Sequence, residues 1–108
     1  MEEKLYDTSE LIECYKNRIP VRGYTTVLNL IEFPKALELD IVVIYPSKLD
    51  YELALNLSTE LLRIVKPMPA TDAVIAAIAL NRKLKLVTRD KHFMAIKEIR
   101  DDFELLIE

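Results

Sequence analysis

Residues 69–88, PATDAVIAAIALNRKLKLVT, decide the fold. Ala73 through Leu80 carry no polar side chain. A helix that is apolar all round has no face to give to water and must lie in the core. Pro67 and Pro69 end whatever precedes it, and Leu84 to Val87 behind it is a short strand that leaves through Thr88-Arg89-Asp90. A buried helix feeding a short apolar strand is half of a parallel α/β unit. One charge, Asp72, stands at the head of the apolar run and needs a reason to be there.

Downstream, His92 to Ile99 reads as a short helix and Phe103 to Ile107 as a last strand. Upstream, Ser47 caps a long amphipathic helix to about Val65, with Leu49, Leu53, Leu57, Leu61 and Ile64 on its inner side. Asp40 to Tyr45, DIVVIY, is rich in β-branched residues, continuous and stopped by Pro46, the pattern of a strand buried on both faces. Thr25 or Thr26 opens another helix, with Val27, Leu30, Ile31 and Leu37 or Leu39 on one apolar face. Pro34 inside it demands a kink or a late start. Lys4 to Tyr6 is a first strand, after which Thr8 or Ser9 caps a helix bearing Leu11, Ile12 and Tyr15, and Arg18 to Gly23 is a loop. Strands alternating with helices predict an α/β three-layer fold with right-handed crossovers and a mostly parallel sheet. The expected order of these four strands is 2-1-3-4, with the first and third side by side in the middle.

At 108 residues the chain is expected to form one domain spanning 1–108. Its first residues, MEEKLYDTSELIE, have neither the basic start nor the apolar stretch of a signal peptide, and no apolar run approaches the roughly 20 residues that cross a bilayer. A soluble, cytoplasmic protein without membrane contact is expected. Cys14 is alone, so it reads as a small packed side chain, not as a bridge or metal ligand. A formal charge of -3 argues against a nucleic-acid partner. The distribution reverses that argument locally, because Leu61 to Lys97 carries eight basic residues against Asp72 and Asp90. Such a stretch is either a solvated face or a phosphate-binding one.

In open parallel sheets, ligands bind at the carboxyl ends of the strands, where strand order reverses. Asp7 and Asp90 are each the first acid after a central strand. Glu32 is flanked by Leu30, Ile31 and Phe33, and Asp72 heads a helix with no solvated side. Singly, each has an ordinary role: Asp7 and Asp90 as caps, Asp72 as a complement to its helix dipole, Glu32 as surface. Taken together, those ordinary roles fit less well, since Glu32 and Asp72 sit in apolar surroundings where an unpaired carboxylate is costly.

The set Asp7-Thr8-Ser9 after the first strand, Leu30-Ile31-Glu32, Asp72-Ala73-Val74-Ile75-Ala76-Ala77 and Leu86-Val87-Thr88-Arg89-Asp90-Lys91-His92-Phe93 resembles the PIN-domain nucleases, especially VapC-type toxins of toxin–antitoxin pairs. The resemblance covers nearly the whole chain. It implies a PIN-like three-layer fold with a mostly parallel central sheet of four to five strands flanked by helices, and a metal-dependent endoribonuclease acting as the toxin of such a pair. By this resemblance Asp7, Glu32, Asp72 and Asp90 are the catalytic, metal-holding acids for magnesium or manganese, with Ser9 and Thr88 hydrogen-bonding them from behind. An all-oxygen set suits those ions and not structural zinc. The basic stretch makes Arg82, Lys83, Lys85, Arg89 and Lys91, together with His92, the expected RNA contacts. The resemblance also implies an antitoxin partner and a homodimer. His92 departs from the family pattern, since many relatives have an acid or Asn there, and the span from Glu32 to Asp72 is short. Two other readings compete: a catalytically idle PIN-like domain kept for interaction or scaffolding, and a housekeeping RNA-processing nuclease. A phosphorelay receiver is disfavoured, because there is no acid pair at the first strand and no lysine after the last.

Overall fold

The computed structural model describes residues 3–108. In chain order the elements are β1 (Lys4–Tyr6), α1 (Thr8–Lys16), β2 (Tyr24–Thr26), α2 (Val27–Glu32), a 3-10 helix (Pro34–Glu38), β3 (Val42–Ile44), α3 (Lys48–Arg63), α4 (Ala70–Arg82), β4 (Lys85–Thr88), a 3-10 turn (Lys91–Phe93), α5 (Met94–Ile99) and β5 (Leu105–Ile107). The sheet runs β3-β2-β1-β4-β5, and every neighbouring pair is parallel. β1 and β4 adjoin as expected, with Leu5 opposite Leu86 and Tyr6 opposite Val87. The expected order holds once one further strand is inserted.

That strand, β2, lies where the sequence predicts a loop and the start of a helix. Its sequence is Tyr-Thr-Thr, without an apolar run, and it passes into α2 with no connecting residue. Thr26 ends the strand and caps the helix: its hydroxyl accepts the Asn29 amide, and the Asn29 side chain accepts the Thr26 amide. Gly23 lets β2 approach β1. Its φ is +143°, and a Cβ there would stand 2.7 Å from the Lys4 carbonyl oxygen.

Three apolar faces differ from expectation. α2 stops before Pro34, which opens a separate 3-10 helix at the position where its missing amide costs nothing. Ile31 and Leu37 therefore point to solvent, and Leu30 and Ala36 pack on Leu11 instead. The DIVVIY stretch is not buried on both faces. It supplies the edge strand β3, with Val42 57% exposed, because β-branched content reports fit to a pleat and not position in the sheet. On α3, capped by Ser47 as expected, Leu49 is exposed and the buried side is Asp50, Ala54, Leu57 and Leu61. The helix is turned by Asp50, which is fully buried and held by Arg82 (2.8 and 3.0 Å) and Asn81 (2.9 Å) of α4.

α4 is the centre of the core. Ala73 through Leu80 are all buried, packed with Leu5, Leu57, Leu61, Leu86, Phe93 and Phe103. Each such Leu, Ile or Phe contributes about 1.5–3 kcal/mol relative to exposure. The helix ends at Lys83 in the left-handed conformation (φ 54°), after which the Leu84 amide closes on the Ala79 carbonyl and the chain turns into β4.

Candidate active site

The carboxyl ends of β1 and β4 bring the first two acids to the middle of the sheet. The Asp7 amide donates to the Val87 carbonyl, which places its side chain beside Thr88. Thr88 Oγ1 donates to Asp7 Oδ2 at 2.7 Å, Ser9 Oγ lies 3.4 Å from the same oxygen and 3.2 Å from Thr88 Oγ1, and Asn29 Nδ2 donates to Asp7 Oδ1 at 3.1 Å. Asp7 occupies the N-cap position of α1, yet its side chain makes no cap bond. Burial pushes its carboxyl above the ordinary range. The neutral donors Thr88, the Thr8 amide and Asn29 oppose that, and the nearby charge of Glu32 adds to it. Among the described residues, no cation offsets the burial.

Asn29, fully buried, escaped the sequence reading. Its Oδ1 accepts the Thr26 hydroxyl at 2.7 Å, so its amide nitrogen is aimed at Asp7 and at Thr8 Oγ1, 2.9 Å away. The available signal was the spacing of Thr26 and Asn29, a capping box at a helix start. Thr8 in turn donates to Glu32 Oε1 at 2.7 Å. Glu32 is exposed at the last position of α2, the helix end that disfavours an anion, so the dipole does not explain it.

The other two acids meet across His92. Asp72 lies in the first turn of α4, whose N-cap is Pro69, with no side-chain cap bond. His92 Nε2 is 2.8 Å from Asp72 Oδ2, and Nδ1 pairs with Asp90. Burial raises the Asp72 carboxyl; His92 opposes this, and the charges of Asp7 and Asp90 raise it further. Asp90 also does the capping work an ordinary acid would do, since it accepts the His92 amide at 3.2 Å. Its own amide donates to Thr88 Oγ1. The His92 ring stacks on Phe93 with centroids 4.8 Å apart.

The structure thus brings the four acids to one end of the sheet in two pairs: Asp7 with Glu32 through Thr8 and Asn29, and Asp72 with Asp90 through His92. Among the described residues, no three His, Cys, Asp or Glu side chains are placed so that they could hold one ion. The donor chemistry nonetheless fits a hard divalent cation. The cluster offers carboxylate oxygens, and Asp7 and Asp72 are destabilised by burial and by like charge, which a cation would relieve.

The basic residues divide. Arg82 is held by Asp50, and Lys83 and Lys85 lie at the amino end of β4. Arg82 lies ten positions beyond Asp72 on α4, about 15 Å along the helix. Arg89, Lys91 and His92 follow β4 at the acid end. Arg89 pairs at 3.6 Å with Glu10, a buried acid of α1 that the sequence reading also missed; the Cys14 thiol is 3.8 Å from the same oxygen. Burial, then Glu10, pushes that thiol up, in keeping with a packed and unreactive side chain.

No family model matches the sequence, and no curated protein matches it at a significant level. Solved structures do match. A chain of VapBC-5 from Mycobacterium tuberculosis, a member of the VapBC family of toxin–antitoxin systems, superposes over 100% of both chains with a TM-score of 0.82 and 23% identity. VapBC2 from Rickettsia felis, bound to a DNA fragment from its promoter, aligns over 96% of this chain and 97% of its own, with a TM-score of 0.77 and 17% identity. DNA-bound VapBC from Salmonella typhimurium aligns over 99% and 98%, with a TM-score of 0.71 and 19% identity. The helix-flanked, five-stranded parallel sheet described above is therefore the PIN-like fold found in VapBC toxin–antitoxin structures.

Proposed function

We propose that the chain is a divalent-metal-dependent endoribonuclease and the toxin of a toxin–antitoxin pair. The observation that carries this reading is the set of four acids brought to the carboxyl end of the sheet by β1, α2, α4 and β4, with Asp7 linked to Glu32 through Thr8 and Asn29 and Asp72 linked to Asp90 through His92. Asp7 with Glu32, and Asp72 with Asp90, would supply the carboxylates for magnesium or manganese, each pair two of an ion's oxygens, and the ion would supply an activated water and positive charge against the phosphodiester. Thr88, Ser9 and Asn29 fix the Asp7 carboxylate, so little reorganisation is left for the moment of reaction. Thr8 holds Glu32, and His92 keeps Asp72 and Asp90 facing each other.

The partners follow from the same reading. Tyr51, Leu55 and Leu62 are exposed on one side of α3, an apolar stripe that a second copy of the chain would cover, and light scattering should give a dimer at tens of micromolar. A cognate antitoxin would block the acidic site with a basic or apolar residue in the cytoplasm. No helix among the described residues is long and apolar enough to cross a membrane.

Cleavage of single-stranded RNA by the purified chain tests the activity. It should require magnesium or manganese, stop with a chelator, and fall about a thousandfold in Asp90→Asn, roughly 4 kcal/mol of barrier. Undiminished cleavage by Asp90→Asn would refute the assignment. Manganese uptake without cleavage of any RNA would favour the idle interaction domain.

A further inference from the structure

A groove of about 590 Å³ opens beside the acids, between the α3–α4 connection and α5. Lys66, Pro67, Lys91, His92, Met94 and Lys97 line it. His92 belongs to both places, since its ring joins Asp72 to Asp90 and also forms part of the groove wall. We infer that this groove is the track of the RNA strand next to the scissile phosphodiester, an inference that rests on the function proposed above.

Charge and surface both favour a nucleic-acid strand there. The chain carries a formal charge of -3, and its acid cluster repels phosphates. A strand approaching that cluster needs basic side chains beside it, and the groove supplies three lysines. Glu98, the one acid in its lining, is neutralised by Lys66 at 2.5 Å. Lys97 donates to the Phe103 carbonyl at 2.7 Å, which fixes its position. Lys91 is exposed and has no carboxylate partner among the described residues. Between the lysines, Pro67 and the 53% exposed Met94 offer apolar and polarisable surface to sugars and bases. Arg82 and Lys83 contribute nothing here, because they lie at the other end of α4. Recognition by charge and surface, with no hydrogen-bonding pattern for base edges, predicts a single-stranded substrate bound with little regard to sequence in this segment.

The test measures binding, not cleavage, so that it stands apart from the activity. A fluorescent single-stranded RNA oligonucleotide is titrated with the intact chain in a chelator, across a range of salt concentrations. Each lost phosphate contact lowers the slope of log affinity against log salt by about 0.7 for a single strand. Lys91→Ala should lower it by about 0.7 and Lys91→Ala/Lys97→Ala by about 1.4, while Lys91→Arg and Lys83→Ala leave it unchanged. An unchanged slope in the double variant overturns the inference, as does a loss confined to Lys83→Ala or an absence of binding at low salt. If the double variant instead loses only a protein partner and keeps its RNA slope, the groove is a protein-docking surface and the inference also fails. A chain that binds RNA as predicted but never cuts it would refute the nuclease and leave the groove standing.

Discussion

Asp7 and Asp50 are both aspartates withdrawn from water, and the protein treats them in opposite ways. Asp50, between α3 and α4, receives the Arg82 guanidinium on both oxygens, together with Asn81 and the Ser47 amide. Its burial alone would raise the carboxyl, but these partners overcome that and hold it at about 2. Asp7 receives only neutral donors, has Glu32 for a charged neighbour, and is raised. Burial raises both carboxyls, and only at Asp50 does a cation help to reverse it. One site is complete and fastens two helices. The other is left short of positive charge, the condition expected of a place that takes its cation from solution.

The largest contrast should come from making the same substitution at both places. Asp50→Asn leaves Arg82 facing a neutral amide in a buried contact and should cost about 3 kcal/mol in chemical denaturation at neutral pH. Asp7→Asn should leave stability unchanged or raise it by up to about 1 kcal/mol, because it removes a charge that burial and Glu32 disfavour. It should also abolish RNA cleavage and any stabilisation by manganese. If both variants lose stability alike, the acid site is an ordinary part of the framework and the comparison fails.

How far this contrast was legible in the sequence depends on the range of the signal. α4 could be read because eight apolar residues in succession fit only a core, and with it came Asp72 and the strand carrying Asp90. The adjacency of β1 and β4 followed from chain order. β2 could not be read that way, since Tyr24–Thr26 has no apolar run and is held in the sheet by neighbouring strands and by the close approach at Gly23. The Asp50–Arg82 clasp was hidden for a similar reason. Its partners are 32 residues apart, and helical periodicity favoured Leu49 as the inward residue. Arg82 consequently looked like one more member of a basic stretch. The second row of the acid site was partly legible: Ser9 and Thr88 lie beside the acids in sequence, whereas Asn29 reaches Asp7 across 22 residues.

Acid should separate the two aspartates by a smaller amount. A carboxyl lowered from 3.8 to about 2 contributes stability that is present above the unfolded value and is lost as pH falls through about 2. Asp50 is fully buried, so the full contribution applies, about 2 kcal/mol from the shift. The stability gap between the native chain and Arg82→Met should therefore be largest at neutral pH, shrink as the carboxyl that Arg82 no longer lowers takes up its proton in the variant, and be nearly closed at pH 2. A gap that persists at pH 2 would mean that Arg82 acts through packing of its stem and not through its charge.

The finest contrast lies in the two asparagines, each of which donates to one of these buried aspartates. Asn81 Nδ2 reaches Asp50 Oδ1 at 2.9 Å, and Asn29 Nδ2 reaches Asp7 Oδ1 at 3.1 Å. Asn81 is exposed, and Asp50 keeps Arg82 and the Ser47 amide when it is removed. Asn81→Ala should then cost no more than about 1 kcal/mol, the net worth of one hydrogen bond, and leave manganese binding untouched. Asn29 is fully buried and also completes the cap of α2 with Thr26 while donating to Thr8. Its loss strands those groups without water, so Asn29→Ala should cost about twice as much in stability. It should also weaken manganese binding by about 10–100-fold, because Asp7 and the Thr8–Glu32 contact lose the side chain that orients both. Calorimetric titration with manganese separates the two roles: if Asn29→Ala loses stability but binds manganese as tightly as the native chain, Asn29 supports the fold alone, and the pairing of Asp7 with Glu32 does not depend on it.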